Sequence, residues 1–484
     1  MFEGQPKGLY VLSLANTGER FGYYTMLAIF TLFMQAKFGW SEGYAGNVYA
    51  IFLAVVYFSP LFGGVLADKI GYGKCITIGF ATMFLGYLGL AVPTGADAVG
   101  EATMYAGLAC VSLGTGLFKG NLQVLVGNLY DDPKYADRRD SAFSLFYMAI
   151  NIGAMFAPSM AKWITNQYLE RYGFVYDAGC NDPAYLEALY GAYGLCFGVA
   201  CVSLIISAVI YFAFRGWFKQ ADVTAKSAKT QAVAVEELTP KQTKDRIVAL
   251  LLVFAVVIFF WMSFHQNGSA LTFFAKKYIN LSVSGGMRVW FNIFILSLIA
   301  LSVYTCFGVF QSKTSKGKLF CGLATLAAWA VCVVLYLNMA NPTLSQPSDF
   351  QQFNPFFVVA LTPFSMLFFG VLANKGHEIS APTRIAWGML VAAIGFGVIT
   401  LGSENLISPM GISFVSKVAP PQYKGLMMGG WFAATAIGNY LRSIPSLLWD
   451  KIPLMYNWGI LIALCLISAV VMFSLLKKLK KMTA

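Results

Sequence analysis

Four ionisable residues sit where an apolar chain has little use for them. Glu19 and Arg20 stand side by side in LANTGERFGYY (14–24), Lys119 lies in GTGLFKGN (114–121), and Glu404 opens ENLISPMGIS (404–413). Each belongs to a stretch apolar enough to cross a bilayer. An ionised side chain in the hydrocarbon interior costs at least about 3 kcal/mol, so such residues face a protein interior or a wet cavity and have partners there. Two are acids and two are bases, drawn from both halves of the chain. Tyr23, Tyr24, Asn151, Gln266, Asn354 and Trp431 add polar and aromatic groups to the same kind of segment. On a helix Asn16 and Arg20 share a face as an i, i+4 pair, while Glu19 is turned by about 100° from Arg20.

Two readings of these charges stay open. They are either ion pairs that hold helices together or the lining of a polar, aromatic cavity between two helical bundles. In the second case, opposite charges on opposite walls suit a zwitterion. A short peptide carries one ammonium and one carboxylate, separated by about 7 Å for two extended residues and about 10 Å for three. Arg20 offers a forked donor to the carboxylate, Lys119 a second positive charge, and Glu404 a partner for the ammonium. Recognition through termini and backbone predicts weak side-chain selectivity.

The elements that position these groups follow from composition. The 484 residues are 58% apolar and 12% charged, with a mean hydropathy of +0.65. That balance belongs to an all-α polytopic membrane protein and excludes a soluble domain; no ten-residue alternation of a transmembrane barrel is visible. The N-terminus lacks a cleavable signal pattern, so the first apolar segment is expected to stay as a span. Windows of about twenty apolar residues predict about fourteen spans, near 9–36, 44–67, 74–94, 102–128, 141–163, 189–214, 247–274, 290–310, 319–340, 354–374, 383–402, 404–417, 425–448 and 455–477. They group as an N-terminal six-helix bundle over 1–214, a polar linker over 215–246, and a C-terminal bundle over 247–484. Lys and Arg collect in the linker, in KTSKGK and in the tail KKLKK, which predicts both termini in the cytoplasm of a cell (inner or plasma) membrane protein. The net charge of +12 is then mostly a topology signal, scattered over short loops rather than gathered into a nucleic-acid footprint.

Catalysis finds no support in the sequence. The nine cysteines form no CxxC pattern, and two histidines, His265 and His377, exclude a multi-histidine centre. No nucleophile stands with a base, so an enzyme is not expected, nor is any cofactor.

GERFGYY resembles the ExxERFxYY motif of the proton-dependent oligopeptide transporter (POT/PTR) family of the major facilitator superfamily. Further resemblances follow in order: GGVLADKIGYGK (63–74), GTGLFKGN, FYMAINIGA (146–154), FFWMSFHQNGS (259–269), FQQFNPFFVVALTP (350–363), ENLISPMGIS and APPQYKGLMMGGWF (419–432). The resemblance implies a facilitator fold of two six-helix bundles plus two extra helices, and import of di- and tripeptides with protons by alternating access. By matched position it implies substrate binding by Arg20, Tyr24, Lys119, Asn151, Asn354, Glu404 and Trp431, and proton handling by Glu19 and Glu404. Asp68, in LADKIGYGK, is expected to act structurally at a helix end rather than as a solvated loop acid. Pro60, Pro158, Pro363 and Pro409 are expected in helices that bend during gating.

Three departures qualify the match. Asn16 replaces the leading motif acid; an amide holds hydrogen bonds beside Arg20 but carries no proton. His265, just before Gln266, stands where relatives carry an acid, either as a proton carrier or as a neutral hydrogen-bonding group. Leu27 takes the place of a further arginine. The extra hairpin (about 290–340) falls after the FW…Q segment and is expected to pack laterally against lipid or another subunit. A carrier of another zwitterionic or anionic solute, or peptide uptake with altered proton coupling, stays open as the alternative.

Overall fold

The structure is a computed structural model describing residues 4–222, 239–266, 268–376, 380–400, 424–448, 451 and 454–483. The described residues hold fifteen α-helices and a minimal pair of strands. The first six helices are α1 (Lys7–Phe38), α2 (Glu42–Ile70), α3 (Tyr72–Ala91), α4 (Ala98–Asn128), α5 (Arg139–Arg171) and α6 (Pro183–Ala213). The remainder are α7 (Pro240–Phe264), α8 (Ala270–Tyr278), α9 (Ile293–Gln311), α10 (Ser315–Leu337), α11 (Phe353–Asn374), α12 (Ala381–Thr400), α13 (Lys424–Leu441), α14 (Ser443–Leu447) and α15 (Leu454–Thr483). Strands β1 (Ser282–Val283) and β2 (Thr343–Leu344) pair antiparallel at the base of the α9–α10 hairpin.

Among the described residues nine helices are long and apolar enough to cross a membrane. The helices α1, which carries Glu19 and Arg20, and α4, which carries Lys119, are not among those nine. The expected span at 404–417, with Glu404 and Pro409, lies outside the described residues, as does His377. Pro60, Pro158 and Pro363 sit within α2, α5 and α11.

Local chemistry sets the helix ends. The chain leaves α1 through Gly39 at φ 65°, whose N–H returns to the Gln35 carbonyl, and Ser41 then caps α2 by accepting from the Tyr44 N–H. Helix α7 begins at Pro240, earlier than the expected 247, because Thr239 and Gln242 form a reciprocal capping box with proline in the first turn. The expected continuous span at 247–274 is broken between Phe264 and Ala270. There the Gln266 side chain donates to the Met262 carbonyl at 2.8 Å, and the Gly268 carbonyl accepts from Thr31 of α1 at 3.2 Å. Partners from other helices hold the interruption, so hydropathy gives no sign of it.

The buried apolar residues fall into separate clusters. The largest belongs to α1–α6, and two smaller ones join α7, α8, α12, α13 and α15. A fourth, with Met155 of α5, Leu296 of α9 and Val359 of α11, spans the seam between the halves. The α9–α10 hairpin is seated there through the Tyr304 hydroxyl, which donates to the Val359 carbonyl at 3.0 Å. Its outer helix α10 turns Leu319, Phe320, Leu326 and Trp329 outward, where an apolar solvent is the surrounding they suit.

Helix α1 runs through the middle of the first half, wedged between α5 and α6. A Cβ on Gly153 of α5 would collide with the Thr17 carbonyl, and Thr17 itself donates to the Ala149 carbonyl at 3.0 Å. Small residues let these backbones touch, which fixes the height of Glu19 and Arg20 in the membrane. Gly153→Val is therefore expected to lower the melting temperature in detergent, at an overpacking cost of about 2 kcal/mol. Gly198→Val, where an added Cβ meets nothing within 4 Å, is expected to leave it unchanged; equal shifts for the two would refute this account.

Candidate functional site

The mid-membrane turn of α1 buries Glu19 and Arg20 almost completely, at 0% and 3% exposure. They pair with each other: Arg20 Nε and Nη2 donate to the two Glu19 carboxylate oxygens at 2.5 Å. Side-chain flexibility overcomes the angular offset of adjacent helical positions. The guanidinium also lies 4.5 Å from the centre of the Tyr23 ring, which in turn meets Tyr24 edge-on at 5.5 Å. Asn16 is buried one turn earlier, and its Nδ2 has no hydrogen-bond partner. The fork that sequence reading offers to a substrate carboxylate is thus already engaged, and Arg20 carries its own counter-ion.

Lys119 of α4 meets a different environment. Its ammonium lies 4.0 Å from the centre of the Tyr57 ring of α2 and 5.4 Å from that of Phe432 of α13. The first aromatic face belongs to one half of the molecule and the second to the other. Glu19 and Arg20 lie within electrostatic reach of it, yet among the described residues no carboxylate forms an ion pair with Lys119. A half-buried ammonium facing two π-clouds is stabilised but not neutralised.

The other expected residues divide. Half-buried Tyr24, Tyr57 and Tyr147 share one electrostatic environment, and Asn151, also on α5, donates to the Tyr147 carbonyl at 2.9 Å. Asn354 lies half-buried in the first turn of α11. His265, at the end of α7, stacks on Trp261 with ring centres 4.6 Å apart and faces Tyr57 at 5.7 Å; its Nδ1 has no hydrogen-bond partner. Gln266 is fully buried and reaches the Arg442 carbonyl at 3.4 Å as well as Met262. Trp431 packs within the second half, 6.1 Å from Phe254 and 6.5 Å from Trp261 ring to ring. Asp68 stands apart at the exposed end of α2, accepting from the Tyr72 hydroxyl at 3.1 Å.

Two further positions have contacts that sequence reading does not single out. Asp222, inside the polar linker, accepts from the Gly73 N–H at 2.9 Å and so caps the start of α3; nothing local in the sequence points that far. Arg442 is 1% exposed, with its guanidinium 4.2 Å from the centre of the Tyr49 ring. A charge within an apolar stretch was its signal, the same one that marks Lys119. Among the described residues no three His, Cys, Asp or Glu side chains converge as metal ligands.

Among the described residues, a set of polar contacts joins the two halves at the end of the molecule where α1 turns into α2. Lys162 of α5 pairs with the buried Asp349 at 2.7 Å, Ser159 donates to Gln352 at 2.8 Å, and Gln346 donates to Asn166 at 2.8 Å. On α1, Gln35 accepts from Lys276 at 2.9 Å, and the Ala28 carbonyl accepts from Gln351 at 3.2 Å. This distal end is closed.

Comparison with known proteins agrees with that architecture. A model of the POT family matches residues 73–239. Dipeptide and tripeptide permease A of Erwinia pyrifoliae is 26% identical over 480 residues, covering 89% of this chain and 83% of the relative. The uncharacterized transporter YclF of Bacillus subtilis is 27% identical over 509 residues, covering 93% and 90%. In fold, the chain is similar to a crystal structure of peptide transporter POT in complex with sulfate, with a TM-score of 0.70 at 21% identity, covering 100% of this chain and 97% of that one. A bacterial homologue of the human drug peptide transporters PepT1 and PepT2 superposes with a TM-score of 0.62 at 20% identity, covering 98% and 99%. With charged groups buried between two helical halves, this multi-pass membrane protein is similar in fold to POT transporters over its whole length and in sequence to bacterial dipeptide and tripeptide permeases over most of it.

Proposed function

We propose that the chain imports dipeptides and tripeptides by alternating access, coupled to protons, with the distal end facing outward and both termini in the cytoplasm. The carrying observation is Lys119, a half-buried ammonium without a carboxylate partner among the described residues, held between aromatic faces from both halves. A substrate carboxylate that displaces one π-face completes its coordination and ties the halves together. The relative named for dipeptides and tripeptides suggests the substrate class, and the basic linker and tail suggest the orientation.

Proton coupling in this reading runs through Glu19. Protonation of its carboxylate removes the charge that holds the Arg20 fork, freeing a bidentate donor for the same substrate carboxylate. Asn16 has no proton to give, so the motif's first position drops out of the relay. Glu404 keeps its proposed role as ammonium partner and second proton carrier. A second reading, a carrier of anionic solutes, draws on Lys119 and Arg442 together, since neither meets a carboxylate among the described residues.

Uptake of labelled dialanine into proteoliposomes, with pH gradient and voltage imposed separately, is expected to respond to the pH gradient; competition by anions but not by dipeptides would favour the second reading. Lys119→Gln is expected to raise the KM for dialanine about tenfold or more, the loss of one charge-assisted hydrogen bond, while leaving that of its C-terminal amide unchanged. Glu19→Gln fixes the site in its neutral form. It is expected to abolish acceleration by a pH gradient while equilibrium exchange of dialanine persists, and full gradient-driven accumulation by this variant would exclude Glu19 as a carrier.

A further inference from the structure

Arg442 is a buried cation that the proposed cycle does not use. It follows α13 directly, and its Nη2 donates to the Ser269 hydroxyl at 3.0 Å. Its Nε has no hydrogen-bond partner, and no carboxylate among the described residues pairs with it. Ser269 and Arg442 both belong to the second half. The remaining face of the guanidinium is covered by the Tyr49 ring, which belongs to α2 of the first half. The cation is held from one side and lidded from the other.

The lid lies in a seam built to part. One turn before Tyr49, Gly46 packs so tightly on α14 that an added Cβ would lie 2.7 Å from the Ser446 Cβ. Beside it, Thr31 of α1 bonds the Gly268 carbonyl. Opening the distal end separates α2 from α13 and α14, which lifts the ring away. It leaves a guanidinium whose Nε has no hydrogen-bond partner. A π-face partly replaces hydration of an arginine, but only a carboxylate matches its planar fork with two parallel hydrogen bonds.

We infer that Arg442 is a carboxylate-binding site of the distal-open state, covered by Tyr49 when that end closes. The inference rests on the peptide-transport reading and adds a second cation to it. The peptide's carboxylate docks first on Arg442, then passes to Lys119 as the Tyr49 ring returns. Arg442 thereby acts on binding from the distal side alone, whereas Lys119 acts from both.

Two measurements test this. In proteoliposomes sorted by orientation, Arg442→Gln is expected to raise the KM for dialanine presented at the distal side about tenfold. The KM for dialanine amide at that side, and for dialanine at the other, should stay at the wild-type value, and Arg442→Lys should restore part of the loss. An equal loss for acid and amide, or a fall in rate at constant KM, would make Arg442 a structural strut and overturn the inference. Absence of dialanine transport by the wild-type protein would instead sink the peptide reading, so the second measurement needs no transport. Phenylglyoxal modification of Arg442, followed by peptide mass spectrometry, is expected to be slow in the wild type and at least several-fold faster in Gly46→Trp, whose wedge holds the seam apart. N-acetylalanine should slow the fast reaction and N-acetylalaninamide should not. Equal rates in the two proteins, or no protection by the carboxylate, would refute the site.

Discussion

A cation inside a bilayer must be given something in place of water, and the centre of this protein is organised by that demand. Three solutions occur among the described residues. Arg20 is neutralised by its sequence neighbour Glu19, Lys119 faces two aromatic rings, and Arg442 combines a hydroxyl with a third ring. The first is complete and local to one helix. The other two are partial, and each recruits an aromatic face from across the seam between the halves. That difference separates a group at rest from groups that still have affinity to offer. An arginine already holding a carboxylate binds a second one only after the first is protonated or displaced. A lysine against π-faces needs only to exchange one face.

The same demand explains the packing around α1. A helix carrying two buried charges cannot turn them to lipid, so it must be enclosed on every side. Gly153 of α5 and Gly18 of α1 let the neighbouring backbones close in to the point where a Cβ on either would collide with Thr17 or Ser207. Close approach in turn immobilises the turn from Asn16 to Tyr24.

How much of this was legible in the sequence depends on the range of the interaction. The spans were readable because hydropathy is a local sum, and Glu19, Arg20 and Lys119 were conspicuous because they interrupt it. The Thr239–Pro240–Gln242 cap was equally local, yet it was absorbed into a linker by its polar neighbours. The pairing of Glu19 with Arg20 was not legible, because ideal helix geometry separates adjacent residues by about 100° and only rotamers bring them together. The break between α7 and α8 escaped notice because Thr31 and a buried glutamine fix it, leaving its apolar composition unaltered. Arg442 carried the same signal as Lys119, but what distinguishes it, a lid supplied by Tyr49 from a helix almost four hundred residues away in the chain, exists only in three dimensions.

The closed distal end has the character of a switch because its halves do not share one core. The apolar clusters of the two halves are largely separate, and among the described residues the seam carries a set of hydrogen bonds, one buried ion pair and the cation–π contacts of Lys119 with Phe432 and of Arg442 with Tyr49. A typical hydrogen bond nets only about 1 kcal/mol, since water competes for each group once the seam parts. The Lys162–Asp349 pair gains Coulomb energy but is offset by the desolvation of Asp349. Such a seam adds up to a few kcal/mol. Moving a two-state equilibrium from 1:99 to 99:1 takes about 5.5 kcal/mol of differential affinity. A ligand that completes the coordination of Lys119 and contributes one further charged contact supplies energy of that order. A wholly apolar interface of the same extent would lie beyond its reach, which is why polar residues carry much of the contact between the halves while most of each hydrophobic core stays within its own half.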